Sequence, residues 1–202
     1  MPHALLIFCK LFAIDWRWRV ALPTLSFVSA SLVLSIPPGS AADPRDLYVQ
    51  ETRVHAKAAE FILDDQYNQT HHYRFPQESL SILLFADYTG SAQLEDWIQP
   101  IYARYQDTIG IYGVAELSIV PGFLRGLVRS LFRERLQYPV MLDWQGTVSR
   151  RYAYQSGQAN LFVIDTQGRI VLKLIGAVDT GKLQQVFTQI NDLLGLQEQP
   201  QD

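Results

Sequence analysis

The chain has 202 residues, 48% apolar and 18% charged, a composition that excludes a disordered or fibrous protein and suits a globular core. Its net charge of −3 becomes more negative once the N-terminal Lys10, Arg17 and Arg19 are set aside, which excludes general nucleic-acid binding through a basic surface. A single cysteine, Cys9, excludes an internal disulfide framework.

The first element in the chain is an export segment over residues 1–42. Two apolar stretches, 4–14 and 20–36, are separated by Arg17 and Arg19 and followed by Pro37-Pro38-Gly39-Ser40-Ala41-Ala42. A basic region, an apolar core, a helix-breaking end and small residues at Ser40 and Ala42 are the order of a secretory signal cleaved after Ala42. Pro23, Thr24, Ser26, Ser29 and Ser31 interrupt the second stretch and disfavour a permanent span. The alternative is an uncleaved anchor, which places the domain on the same side of the membrane. Cleavage removes Cys9 and leaves a thiol-free protein in the periplasm or an equivalent lumen. Residues 43–196 are expected to form a single domain and 197–202 a flexible polar tail.

Residues 61–63 and 72–75 read as short strands around a polar turn. Residues 81–86, Ser-Ile-Leu-Leu-Phe-Ala, are a continuous apolar run, the pattern of a central strand covered on both faces. From 92 to 106, Leu94, Trp97, Ile98, Ile101, Tyr102 and Tyr105 fall on one helical face, and Pro100 is expected to kink or break that helix. Residues 109–115 follow as a second buried strand. Residues 123–136 form a helix with Leu124, Leu127, Val128, Leu131 and Phe132 inward and Arg125, Arg129 and Arg133 outward. Residues 139–143 are a short strand and 146–154 a helical or irregular link. Residues 160–165 and 169–175 form a hairpin across Thr166-Gln167-Gly168. Asp179 or Thr180 caps a last helix, with Leu183, Val186, Phe187, Ile190 and Leu194 on one face and Gly195 as its stop. Two βα units, a mixed central sheet, a C-terminal antiparallel hairpin and helices on both faces make an α/β fold; the hairpin argues against a flavodoxin-like continuation.

Certain local stretches carry a resemblance: Ala59-Glu60-Phe61-Ile62-Leu63-Asp64, Leu83-Leu84-Phe85, Tyr138-Pro139-Val140-Met141-Leu142-Asp143, and above all Leu161-Phe162-Val163-Ile164-Asp165-Thr166-Gln167-Gly168-Arg169-Ile170-Val171. In this order the chain resembles the thioredoxin-like redoxins, a group that includes peroxiredoxins and periplasmic thiol:disulfide proteins. Within the group it is most similar to the exported YtfJ-type proteins, which also lack the cysteine pair. The shared features are Val120-Pro121-Gly122-Phe123 leading into a helix and Ser91-Ala92 in the turn. The resemblance implies a three-layer thioredoxin-like fold. It also implies a reactive cysteine at the turn before the first long helix and a cis-proline before the strand at 161–165.

Both are changed. The turn reads Asp87-Tyr88-Thr89-Gly90-Ser91, and Ala159 stands at the proline position. A serine hydroxyl cannot pass through the sulfenic acid or disulfide states of a redox cycle. A cis bond before a non-proline residue costs about 2.5–4 kcal/mol, so a trans link is expected at Ala159. The expectation is therefore a non-redox binding or accessory module of the cell envelope. The alternative is a redoxin-type oxidoreductase, active on peroxide or disulfide, that works by a non-cysteine route or with a partner's cysteines.

Other groups carry weaker signals. The turn could bind an anion at a helix N-terminus, but capping by Thr89 or Ser91 is the simpler role and Asp87 would repel an anion. His71 and His72 lie near Asp64 and Asp65, yet neighbours on a strand point to opposite faces, so no metal site is expected. Arg125, Arg129 and Arg133, with Arg135 beside them, form a basic stripe: either a solvated face or a dock for an acidic protein partner, a lipid headgroup or a phosphate. Trp97, Tyr102 and Tyr105 are read as core. No Ser-His-Asp spacing, Walker loop or dinucleotide fingerprint occurs, so no catalytic residue and no cofactor are expected. Membrane contact is expected only if the N-terminal segment is retained.

Overall fold

Phe61–Asp64 (β1) and Thr70–Tyr73 (β2) pair antiparallel, as the two apolar stretches around a polar turn predict. Asp65 holds the turn: its Oδ1 accepts from the N–H of Tyr67 at 2.7 Å and of Gln69 at 2.9 Å, and Asn68 takes a left-handed φ of 63°. These coordinates are a computed structural model that describes residues 56–196. The export segment and the tail at 197–202 lie outside the described residues.

A second sheet holds Ser81–Ala86 (β3), Gly110–Glu116 (β4), Met141–Asp143 (β5), Asn160–Ile164 (β6) and Ile170–Ile175 (β7), in the order β5-β4-β3-β6-β7. β3 is central and every one of its residues is buried. β4 lies parallel to β3 and β5 parallel to β4, whereas β6 is antiparallel to both β3 and β7. β4 is not the buried strand expected. The three residues of β5 pair only with Val114, Ala115 and Glu116, so the first half of β4 is an edge and Tyr112 is 36% exposed.

Among the described residues, Leu94–Tyr105 (α1), Arg125–Arg135 (α2) and Thr147–Arg151 (α3) connect strands, and Thr180–Leu194 (α4) follows β7. α1 runs unbroken through Pro100. A proline inside a helix costs about 3 kcal/mol. Leu94, Trp97, Ile98, Ile101 and Tyr105 are buried on both sides of it, each worth roughly 1.5–3 kcal/mol, so tertiary packing outweighs the local penalty. α4 begins at Asp179, whose carboxylate accepts from Lys182 N–H at 2.8 Å, and stops at Gly195 with φ 66°.

The pleat sorts the sheet's side chains into two cores. Ile82, Leu84, Leu161 and Val163 pack against α1, α4 and Phe132 of α2. Leu83, Phe85, Phe162 and Ile164 pack against Phe61, Tyr73, Val148 and Tyr152, so the β1–β2 hairpin and the short α3 cover the second face. Among the described residues no helix is long and apolar enough to cross a membrane.

α2 differs from its expected orientation. Phe132 is buried and Val128 and Leu131 are half-buried, but Leu127 is 59% exposed. Leu127 sits roughly 140° around the helix from Phe132, beyond the reach of a buried stripe this narrow.

Candidate functional site

β3, β4 and β5 are parallel, so the segments that follow them emerge at one end of the sheet, and antiparallel β6 starts there. Asp87, the loop 117–124, Trp144 and Ala159 are thereby gathered at the end of the sheet where open α/β folds hold their ligands.

The turn at 87–91 and Ala159 are in direct contact. A Cβ placed on Gly90 would lie 2.5 Å from the carbonyl carbon and oxygen of Gln158 and 3.0 Å from Ala159 N, so only glycine permits this approach. Ala159 is 1% exposed; its N–H donates to Gln93 Oε1 at 3.0 Å and its carbonyl accepts from Gly176 N–H at 2.8 Å. The recorded cis peptide among the described residues precedes Pro76, and the Ala159 link is trans as expected.

The capping expectation is corrected at Thr89, which makes no side-chain cap bond at the helix start; Ser91 Oγ donates to the Tyr88 carbonyl at 2.8 Å. Asp87 takes the capping role. Its Oδ1 accepts from Gly90 N–H at 2.8 Å, and its Oδ2 accepts from Gly157 N–H and Ser156 Oγ, both at 2.7 Å. The Asp87 N–H donates to Tyr154 Oη at 2.8 Å. Burial pushes the Asp87 carboxyl pKa up, but the bonds from Gly90, Gly157, Ser156 and Tyr154 outweigh it and hold the group below its ordinary value. Burial, and next the Asp87 charge, push the Tyr154 phenol up, so it stays neutral. A fixed carboxylate thus occupies the N–H donor at the helix start, which in a thiol enzyme would favour a thiolate.

The arginine stripe is only partly outward. Arg125 and Arg129 both approach the ring of Trp144, with their Cζ atoms 5.6 and 5.7 Å from its centroid, and Arg125 Nη2 donates to the Trp144 carbonyl at 3.4 Å. Arg129 is half-buried, and Arg133 donates to Ser130 Oγ at 3.1 Å. Beside the arginines the chain exposes Ile119 at 86%, Phe123 at 85% and Leu127 at 59%.

His71 and His72 are separated by the strand, as their adjacency requires. His71 Nε2 bonds Asp65 Oδ2 at 2.8 Å, and His72 is exposed. Among the described residues no group of three His, Cys, Asp or Glu is placed to hold a metal ion. Trp97 and Tyr105 are core, Trp97 donating its indole N–H to the Gly176 carbonyl at 2.9 Å, while Tyr102 is half-buried.

Sequence reading missed Tyr154, Ser156, Gly157, Gln93 and Trp144. The first four act through contacts 66 to 70 residues away in sequence, which no local pattern encodes.

This end of the sheet belongs to a thioredoxin-like fold whose turn at 87–91 is carboxylate-capped, with Gly90 and Ser91 buried and Tyr88 and Thr89 exposed. Solved structures agree on the fold. A chain described as a thiol:disulfide interchange protein DsbE, from Chlorobium tepidum, is 21% identical with a TM-score of 0.54, over 70% of this chain and 98% of its own. A chain described as a protein disulfide isomerase, from Bacteroides thetaiotaomicron, is 17% identical with a TM-score of 0.52, over 72% and 92%. The exposed lipoprotein thioredoxin of Streptococcus pneumoniae is 19% identical with a TM-score of 0.50, over 65% and 99%. No protein-family model matches the chain, and no curated protein matches it.

Proposed function

We propose that this is an exported thioredoxin-fold protein of the YtfJ-like kind, without thiol chemistry, that serves as a binding or accessory module in the periplasm or an equivalent lumen. It docks a protein partner of the cell envelope through the loop 117–124 and α2. The observation that carries this reading is the pairing of a carboxylate-capped turn with an apolar and basic surface at the same end of the sheet. The Asp87 carboxylate is held by Gly90, Ser156 and Gly157 and the Ser91 hydroxyl by the Tyr88 carbonyl, whereas Ile119, Phe123 and Leu127 are offered to solvent next to Arg125, Arg129 and Arg133. Exposed apolar side chains edged by arginines are the composition of a protein interface. The export signal in the sequence supports the compartment, as does the likeness in fold to an exposed lipoprotein thioredoxin.

The test combines crosslinking with enzyme assays. A photocrosslinking residue at Phe123 should capture one dominant envelope protein in cells, and the same residue at exposed Ile62 should not. Arg125, Arg129 and Arg133 all changed to Glu should abolish that product. Equal capture in the triple variant sinks the arginine part of the reading. The purified protein should not accelerate peroxide removal or disulfide reduction above a heat-killed control; acceleration would favour the oxidoreductase alternative instead.

A further inference from the structure

A second candidate site lies away from the turn, beside the first half of β4, where β5 is too short to cover the sheet. There the fold leaves a cavity of about 320 Å³, walled by Leu94, Ile98, Tyr102, Tyr112 and Tyr138. The position of Gly113 on its floor is the informative detail. A glycine in the interior of a strand weakens it, and it is explained by a bulge, a close backbone approach, a left-handed φ or a ligand. Register between β3 and β4 is unbroken through Gly113, its φ is not positive, and an added Cβ would meet only the Val140 methyls at 3.9 Å. The first three explanations fail. Space has been left where a Cβ meets no clash and where a residue other than glycine would strengthen the strand.

The chemistry of the lining selects among ligands. No lysine or arginine lines the cavity; Asp107 carries a carboxylate there, and His71 is bonded to the Asp65 carboxylate at 2.8 Å. An anionic ligand finds no lysine or arginine there and meets the Asp107 carboxylate, whereas aromatic and aliphatic walls with tyrosine hydroxyls suit a ring with a single polar group. We propose that this cavity binds an uncharged, ring-bearing small molecule. It is separate from the α2 surface, and its failure would leave the docking reading intact.

Purified full-length protein would be titrated with N-phenyl-1-naphthylamine, a neutral dye whose emission rises in apolar surroundings. The expected result is saturable binding of one dye per chain, with amide shifts centred on Tyr102, Tyr112 and Gly113. Gly113→Val should weaken binding about tenfold while the thermal midpoint stays or rises, because valine favours strands and its Cβ meets nothing closer than the Val140 methyls at 3.9 Å. If that variant folds poorly, Gly113→Ala supplies the same test with one methyl. An anionic relative, anilinonaphthalene sulfonate, should bind about tenfold more weakly than the neutral dye. Unsaturable binding, unchanged affinity in the folded Gly113 variants, tighter binding of the sulfonate, or shifts confined to Phe123 and Leu127 would each overturn the proposal.

Discussion

At the scale of single residues, Asp87 and Ser91 decide what this turn can do. In a thiol enzyme the helix-start N–H groups stabilise a thiolate and lower its pKa. Here Asp87 already supplies the negative charge, accepting from Gly90 at 2.8 Å, and Ser91 is 3% exposed with its hydroxyl bonded to the Tyr88 carbonyl. A thiol installed at Ser91 would therefore feel burial and a nearby carboxylate, both of which oppose ionisation. Ser91→Cys should titrate above the free-cysteine value of about 8.5, read from the pH dependence of its alkylation rate. A value near 7 would mean that the turn favours a thiolate despite the Asp87 carboxylate. The same turn shows the limit of local reading. The hydroxyl of Thr89 suits a cap because threonine favours that place, yet it makes no cap bond. Asp87 won because its carboxylate reaches both Gly90 and the distant Gly157.

At the scale of elements, periodicity was a good guide wherever one face of an element is buried against the sheet. β3, the β6–β7 hairpin and α4 fall where their patterns place them, since central strands and amphipathic helices write their burial into spacing. The pattern failed at β4 and α2, and for one reason: neither has a full neighbour on its outer side. β5 covers only half of β4, and α2 buries a stripe around Phe132 too narrow to include Leu127. Those same uncovered elements carry the cavity and the docking surface, so the errors of the pattern mark the places left open. α1 is the opposite case, in which packing overrides a local signal. Pro100 removes one backbone donor from the middle of the helix, leaving the Asp96 carbonyl without its usual partner. Pro100→Ala should restore that bond and raise stability by about 1–2 kcal/mol, measured by urea denaturation. A destabilised variant would mean that the proline ring itself is needed for packing.

At the scale of the whole molecule, one device recurs at strand ends in both sheets. Asp65 follows β1, Asp87 follows β3, Asp143 ends β5 and Asp165 follows β6, and each carboxylate accepts from N–H groups of the segment after it. Asp165 takes the N–H groups of Gln167 and Arg169 at 2.9 and 2.8 Å, and the Arg169 side chain at 2.6 Å. Aspartate at a strand end was visible in the chain, and its turn-forming role follows from a short side chain that reaches the backbone two residues on. What was not visible is the long-range half of the Asp87 network, and with it the closure of the turn on Ala159. The shared device makes the fold sensitive to acid. For Asp65, Asp87 and Asp165 burial raises the pKa, but the hydrogen bonds they accept outweigh it, so each titrates below its ordinary value in the folded state. A carboxyl whose folded pKa is depressed adds stability that is complete above the unfolded value of about 3.9 and is lost as pH falls through the folded value. Urea midpoints should therefore be flat above about pH 5 and fall steeply below about pH 4. Asp165→Asn, which keeps the shape but not the charge, should cost about 2 kcal/mol at neutral pH and flatten the acid slope, because the lost charge-assisted bonds are those that protonation would break. A variant with the same acid slope as the natural protein would show that these carboxylates do not hold the strand ends, and that acid acts elsewhere.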